Sequence, residues 1–320
     1  MTDSASDVGS SRPPNILLIV SDEERRTDWL DGYADLPAHD RLAADGTSFT
    51  NHYTHASPCS PSRASLYTGR YLWQHGVVDN VSFAAHKTLD PADTTMGQRM
   101  RDLGYESAYF GKWHLSLDKS GGEPIVEPGW TLEPDMELYG YSGWSGNDRH
   151  YTGAAWTGRH FDPIIAGQAI DWIEQHADDE RPWFATVALV NPHDIMWYPA
   201  DQPSYLAANP DQRSIFEFMR SLAVGDLELS APGDYAERFD TLPANFFDDL
   251  HSKPEVQRAW RQVRNTEHMV GHIDLDDHVA WLRQLDYYAW LHERLDDTLA
   301  QLLGTLDRLG IYDDTTIIYT

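Results

Sequence analysis

Residues 59–70 read CSPSRASLYTGR, and the other motifs of the chain are best understood in relation to them. Cys59 is the only cysteine among 320 residues, so its role must come from packing, metal binding or reactivity. Pro58 and Pro61 disfavour a helix before the cysteine, whereas Pro61 favours one directly after it. We therefore expect Cys59 at a helix N-terminus, where backbone N–H groups and the helix dipole favour an anion.

Arg63 follows Cys59 by four residues, which places both side chains on roughly the same face of the expected helix. A cysteine, an anion-binding helix terminus and a guanidinium within one turn indicate a site for an oxyanion. The alternative is a buried free cysteine beside a proline turn, and on this pentapeptide alone that is the more frequent case.

Acidic residues follow the first apolar run of the chain. Residues 15–20 read NILLIV, a pattern typical of a strand that is buried on both faces of a parallel sheet. Ser21, Asp22, Glu23 and Glu24 come directly after it. Ligands bind beyond the carboxyl ends of such strands, so these carboxylates are candidate ligands for a hard cation, although a solvated acidic loop fits them equally well.

Two further predicted strands also end in polar motifs. Residues 105–110 predict a core strand that leads into Lys112 and His114, which lie two positions apart and can point into one cleft. Residues 182–190 predict a third strand, followed by Asn-Pro-His with His193 as its histidine. Taken alone, Lys-Trp-His is more often a surface loop and Asn-Pro-His a turn.

The remaining pattern outlines the rest of the fold. It predicts helices at 37–45, 94–103, 161–177 and 279–309, and strands at 47–53 and 315–320. Asp276 or Asp277 is expected to cap the last helix. Residues 199–262 have weak periodicity, and we expect an insertion there that covers the site and selects the substrate.

Composition excludes several classes of function. The formal net charge of −27 argues against nucleic acid as a partner, because a phosphate backbone requires clustered Lys and Arg. No apolar run approaches the length of a membrane span, so no membrane partner is expected. Residues 1–13 are polar and lack a signal-peptide core, and we expect a disordered tail and a cytoplasmic protein.

Three stretches of the chain resemble the signatures of type I sulfatases, which belong to the alkaline phosphatase-like superfamily. They are residues 59–69, residues 104–114 and residues 191–193. The resemblance implies an α/β sandwich with a mostly parallel mixed sheet between helix layers. It also implies that residues 14–320 form the N-terminal catalytic domain, with the C-terminal lobe and an Asp–His or Asp–Asn metal pair expected beyond the last strand. The chain is thus expected to be an incomplete, functionally impaired portion of the enzyme.

In that family, a formylglycine-generating enzyme oxidises the signature cysteine to formylglycine. The resemblance implies that Cys59 is modified in this way and that its hydrated aldehyde attacks the sulfur of a small-molecule sulfate ester. It assigns Arg63, Lys112 and His114 to positioning the diol and stabilising charge. It places His193 next to the leaving oxygen.

The resemblance also implies a divalent metal ion held by Asp22, Glu23 and the modified residue at Cys59. Ca²⁺ is the expected ion, with Mg²⁺ and Mn²⁺ as alternatives. The second acidic residue is an aspartate or an amide more often than a glutamate in the family, so Glu23 is the less typical ligand. The alcohol of the ester and the oligomeric state are left open.

Two other functions are compatible with these residues. Relatives in the same superfamily hydrolyse phosphonate or phosphate esters with the same Cys-x-Pro-Ser-Arg signature. A non-catalytic sulfatase-like fragment or binding module is the second alternative, because the expected metal pair is not among these 320 residues.

Overall fold

The computed structural model describes residues 12–81, 87–116, 134–145, 148–151, 153–266 and 270–320. Most of the predicted tail at 1–13 lies outside them. The strands are β1 (Asn15–Asp22), β2 (Glu106–Gly111), β3 (Trp183–Pro192) and β4 (Thr315–Tyr319). The α-helices are α1 (Pro37–Asp45), α2 (Cys59–Thr68), α3 (Leu72–His75), α4 (Met96–Asp102), α5 (Asp148–Tyr151), α6 (Thr157–His176), α7 (Pro203–Ala208), α8 (Pro210–Val224), α9 (Glu255–Thr266) and α10 (His278–Leu309). The 3-10 helices are Thr27–Leu30, Met136–Tyr139, His193–Trp197 and Ala244–Phe247.

The strands form one parallel sheet in the order β2-β3-β1-β4. Because all its strands run the same way, their carboxyl ends meet at one edge. β1 pairs with both β3 and β4 and is central. The polar motifs that follow β1, β2 and β3 are therefore brought to the same edge, as the sequence pattern predicts.

Apolar side chains of β1 alternate between two cores, one on each face of the sheet. Leu17 and Ile19 belong to a core with α6 and α10, and Leu18 and Val20 belong to a core with α2. A strand that is covered on both faces requires the continuous apolar run that the sequence shows. The fold is thus a sheet between two helix layers.

Most predicted elements are confirmed, with boundaries that differ by a few residues. Asp277 caps α10 by accepting a hydrogen bond from the backbone N–H of Ala280 at 3.0 Å. The predicted strand at 47–53 is wrong: the segment is irregular, and Phe49 and Tyr53 are about four-fifths exposed. Such a segment forms a strand only where a partner strand can pair with it and a core can bury one of its faces.

The insertion is helical in part. Residues 199–262 contain α7, α8, a 3-10 helix and most of α9. Within the described residues, no helix combines the length and apolar character that crossing a bilayer requires.

Candidate active site

Asp22, the last residue of β1, lies at the centre of a buried charge cluster. Its Oδ2 lies 2.5 Å from Lys112 Nζ and accepts a hydrogen bond from Arg63 Nη2 at 3.1 Å. Burial alone raises the pKa of a carboxyl group, but the positive charges of Lys112 and Arg63 outweigh this and lower the pKa of Asp22 far below its usual value. Two cations surround one carboxylate, so the cluster carries a net positive charge that suits an anionic substrate.

Cys59 is the first residue of α2, as its neighbouring prolines predict. Its Sγ is half-buried and lies 3.7 Å from Asp22 Oδ1 and 3.9 Å from Lys112 Nζ. Burial raises the pKa of the thiol, although the charge of Lys112 opposes that shift. The unmodified side chain is therefore a neutral thiol at neutral pH, and a neutral thiol is a weak nucleophile.

The loop after β2 is tied to α2 through its backbone. Arg63 Nη1 donates to the carbonyl of Lys112 at 2.7 Å, and the hydroxyl of Tyr109 donates to the same oxygen at 2.5 Å. Ser60 Oγ donates to the carbonyl of His114 at 2.6 Å. Helix α2 thus positions both Cys59 and the loop that faces it.

His114 is buried and has left-handed backbone geometry, with φ of 55°. This region is unfavourable for a residue with a Cβ and persists only where contacts impose it. Asp148 supplies such contacts, because its two carboxylate oxygens accept the backbone N–H groups of Trp113 and His114, each at 2.8 Å. Burial, reinforced by the charges of Lys112 and Arg63, lowers the pKa of His114 well below its usual value, so the imidazole is neutral.

His193 follows β3 and begins a 3-10 helix. Burial and the charge of Lys112 lower its pKa to about 3, which leaves a neutral imidazole at physiological pH. The ring packs against Gly153, where an added Cβ would lie 2.4 Å from Cε1 of His193. Asp162 accepts the backbone N–H groups of Val190 and Asn191 at 2.6 and 2.9 Å, and so fixes the strand end just before the histidine.

Asp22, Cys59 and His193 each offer one ligand atom, and these atoms lie within 4.8 Å of one another. The ionised carboxylate and the neutral imidazole have the charge states that metal ligands require. Ca²⁺ takes six to eight oxygen ligands, however, and among these three residues only Asp22 supplies oxygen. The donors fit a divalent cation in charge and position but form only part of the shell that Ca²⁺ prefers.

Glu23 is placed differently from the other predicted site residues. Its side chain is exposed, its backbone is left-handed with φ of 62°, and its carboxylate lies outside the group formed by Asp22, Cys59 and His193. Its role as a metal ligand stays a prediction.

Three buried aspartates near the site were not predicted from the sequence. Asp148 and Asp162 hold the two loops described above, and Asp194 accepts the backbone N–H groups of Gly158 and Arg159 at the start of α6. Of these three, only Asp162 could have been recognised from the sequence, because it lies on the apolar face of the predicted helix beside Phe161. A carboxylate on a buried face must have partners there.

Two bacterial proteins are similar to the chain over almost all of its length. The uncharacterized sulfatase YidJ of Escherichia coli (strain K12) is 26% identical over 327 residues, covering 96% of this chain and 56% of that protein. An N-acetylglucosamine-6-O-sulfatase of Bacteroides thetaiotaomicron is 25% identical over 344 residues, covering 97% of this chain and 58% of that protein. The chain therefore spans little more than half the length of these relatives.

Solved structures show the same architecture. The crystal structure of the phosphonate monoester hydrolase of Agrobacterium radiobacter matches 96% of this chain and 62% of that one, with a TM-score of 0.57 and 23% identity. At this identity the likeness shows the fold alone, and it confirms the predicted alkaline phosphatase-like α/β fold. Residues 14–320 match the sulfatase family model. Because this match covers nearly the whole sequence, the chain belongs to the sulfatase family of the alkaline phosphatase-like superfamily.

Proposed function

We propose that the protein hydrolyses sulfate esters of small molecules through an oxygen nucleophile derived from Cys59 by conversion to formylglycine. One observation carries the proposal. The side chain of Cys59 lies at a helix N-terminus, within 4 Å of both Asp22 and Lys112. A nucleophilic oxygen at this position would lie beside a cluster whose net charge attracts a sulfate monoester anion.

The basic side chains supply the electrostatic part of the reaction. Lys112 and Arg63 are buried and carry two positive charges against the single charge of Asp22. Fixed charges in a site that excludes water stabilise developing negative charge more strongly than they would in water. We assign Lys112 and Arg63 to binding the sulfate oxygens and the charge that develops on them.

The two histidines are assigned to proton transfer. Both imidazoles are neutral at physiological pH, so each can donate an N–H and accept a proton. His114 follows Lys112 and is assigned to the hydroxyl groups at residue 59. His193 is assigned to the oxygen of the leaving alcohol.

A divalent cation would be held by Asp22 and by the oxygen of the modified Cys59, with Glu23 as a further predicted ligand. Ca²⁺ is proposed first, and Mg²⁺ and Mn²⁺ are the alternatives. When bound, the cation would polarise the sulfate group and lower the cost of bringing an anion to the nucleophile. Metal titrations of Asp22→Asn and Glu23→Gln test these assignments separately, because only the first variant should lose affinity if Glu23 is not a ligand.

The proposal includes a formylglycine-generating enzyme as a partner and a cytoplasmic location. Among the relatives, the name of the Bacteroides protein specifies a sulfate at O6 of N-acetylglucosamine. A sulfated amino sugar is therefore a reasonable first natural substrate to assay, next to a simple aryl sulfate.

The deciding experiment has two parts. Protein co-expressed with a formylglycine-generating enzyme should show an aldehyde at residue 59 by peptide mass spectrometry, and Cys59→Ala should not react with an aldehyde probe. The modified protein should then hydrolyse an aryl sulfate with a higher kcat/KM than the matching aryl phosphonate. A preference for the phosphonate would assign the protein to phosphonate ester hydrolysis, and unmodified cysteine beside an active modifying enzyme would exclude the formylglycine mechanism.

A further inference from the structure

Two buried aspartates bind backbone N–H groups next to the assigned site residues. One lies beside Lys112 and His114, and the other lies beside the strand end that precedes His193. Asp148 binds the backbone N–H groups of Trp113 and His114, directly after β2. Asp162 binds those of Val190 and Asn191, at the end of β3. In both cases one carboxylate accepts two successive N–H groups, with one oxygen for each. The same device thus appears at two neighbouring strand ends.

Burying a carboxylate costs free energy, so the hydrogen bonds that each aspartate accepts must offset that cost. Asp148 is 1% exposed and Asp162 is 3% exposed. In each pair, each N–H group binds a separate carboxyl oxygen, and these hydrogen bonds recover part of the cost of burial. They also satisfy backbone donors at the end of β3 and directly after β2. Asp148 therefore fixes backbone just beyond β2, and Asp162 fixes the last residues of β3.

The consequence for the site follows from where the gripped residues lie. Trp113 is flanked by Lys112 and His114, and Asn191 lies two residues before His193. A displacement of these loops by about 1 Å would move the assigned groups away from the substrate and cost about 10²-fold in rate.

Asp286 shows that the device also occurs in a segment without any assigned site residue. Its Oδ1 accepts the backbone N–H groups of Arg238 and Phe239 at 2.7 and 3.1 Å. It is as deeply buried as Asp148. Its Oδ2 also lies 3.1 Å from Nη1 of Arg283, so Asp286→Asn removes a buried ion pair beside the backbone contacts and serves as a control for destabilisation away from the loops of the site.

We infer that Asp148 and Asp162 are positioning residues of the reaction. Asp148 holds the Lys112–His114 loop, and Asp162 holds the backbone just before His193. The inference rests on the proposed function, since it concerns the same site. Neither aspartate contacts the substrate. Each acts through the backbone of the loop that it binds.

Replacement by asparagine tests this inference, because the amide keeps the shape but turns one acceptor into a donor that faces an N–H group. Asp148→Asn should lower kcat about 10²-fold, with KM changed by less than about threefold. Asp162→Asn should lower kcat more for an alkyl sulfate than for an aryl sulfate, because an alkoxide leaving group depends more on a proton from His193. Asp286→Asn should lower stability by a similar amount but keep kcat within about threefold.

Hydrogen exchange separates this inference from the proposed function. Backbone amides of Trp113 and His114 should exchange faster in Asp148→Asn, and those of Val190 and Asn191 should exchange faster in Asp162→Asn, whatever reaction the protein performs. If sulfate esters are not hydrolysed but exchange responds in this way, the proposed function fails and the grip on the loops stands. The inference is overturned if both site variants keep kcat within the range of Asp286→Asn, or if exchange is unchanged. If one of the two variants does not fold, the same criteria are applied to the other variant.

Discussion

Two carboxylates at the carboxyl end of β1, buried Asp22 and half-buried Glu24, have different basic partners. Asp22 is bound by the basic side chains of Lys112 and Arg63. Glu24 is bound by His39, whose Nε2 lies 3.1 Å from its Oε1. We call the first group (Asp22, Arg63 and Lys112) the Asp22 cluster.

The second group, the His39 cluster, consists of Glu24, His39 and Asp296. His39 Nδ1 lies 2.6 Å from Asp296 Oδ1, so the imidazole bridges two carboxylates that belong to different elements. When His39 is protonated, two negative charges surround one positive charge. The net charges of the two clusters are thus opposite. Burial of charge alone does not mark a binding site; the excess of positive charge in the Asp22 cluster is what makes it suited to an anion.

Removing one cation from the Asp22 cluster should have the largest effect on stability. Lys112 is fully buried, and Lys112→Met keeps the length of the side chain but leaves Asp22 with Arg63 alone. We expect the free energy of unfolding to fall by about 3 kcal/mol, the lower end of the cost of breaking a buried ion pair, because Arg63 still binds Asp22. Denaturant unfolding at pH 7 measures this loss.

The double variant Asp22→Asn/Lys112→Met should not recover that loss, because Arg63 would then be a buried cation without its carboxylate partner. Lys87→Met is the control, since Lys87 is exposed and donates to the carbonyl of His75 at 2.7 Å. A loss below about 1 kcal/mol for Lys112→Met, within the range of an exposed ion pair, would show that Asp22 is not held as an ion by these partners.

The His39 cluster should make stability depend on pH. Burial alone lowers the pKa of a histidine, but Asp296 and Glu24 outweigh it and raise the pKa of His39 to about 9. The unfolded value is about 6.5, so the added stability is fully present below pH 6.5 and is lost as pH rises through about 9. We expect a loss on the order of 2–3 kcal/mol between pH 6 and pH 9.5.

Other buried groups titrate in the same range, since burial raises the pKa of Asp162 to about 8 and that of Asp201 to about 7. The difference between the wild-type protein and His39→Gln isolates the contribution of His39. That difference should shrink from pH 6 to pH 9.5, and a difference independent of pH would mean that His39 is not protonated in the folded protein. His251→Gln, which changes an exposed histidine, should leave the pH profile unchanged.

The sequence allows prediction of the strand ends but not of the groups that hold them. Cys59, Lys112 and His193 follow recognisable runs, and a parallel sheet brings such runs to one edge. Asp148 lies 35 positions from Trp113 and has no motif of its own, so its contact depends on how the intervening segment folds. The left-handed backbone of Glu23 is likewise not predictable from its position directly after Asp22, and its role as a metal ligand stays a prediction.

Steric crowding at His193 should have an intermediate effect. A methyl group at Gly153 would collide with the imidazole ring, and φ of 105° there is unfavourable for alanine. Gly153→Ala should lower the free energy of unfolding by about 1–2 kcal/mol. Gly104→Ala is the control, because its φ of 91° is similar but no atom lies within 4 Å of the added Cβ. If both variants lose the same stability, strain rather than contact with His193 explains the loss.

The smallest expected effect concerns the peptide that joins the two clusters. The hydroxyl of Tyr288 donates to the carbonyl of Glu23 at 2.5 Å and accepts the backbone N–H of Arg25 at 3.1 Å, which supports the left-handed turn between Asp22 and Glu24. Tyr288→Phe removes both bonds near the surface and should cost about 0.5–1 kcal/mol. If the clusters are independent, its effect should add to that of Lys112→Met within about 0.5 kcal/mol, as for sites without shared partners. It should also leave the pH dependence due to His39 unchanged. A coupling energy well above that limit would show that the turn transmits strain from one cluster to the other, and the two carboxylates would then have to be treated as one site.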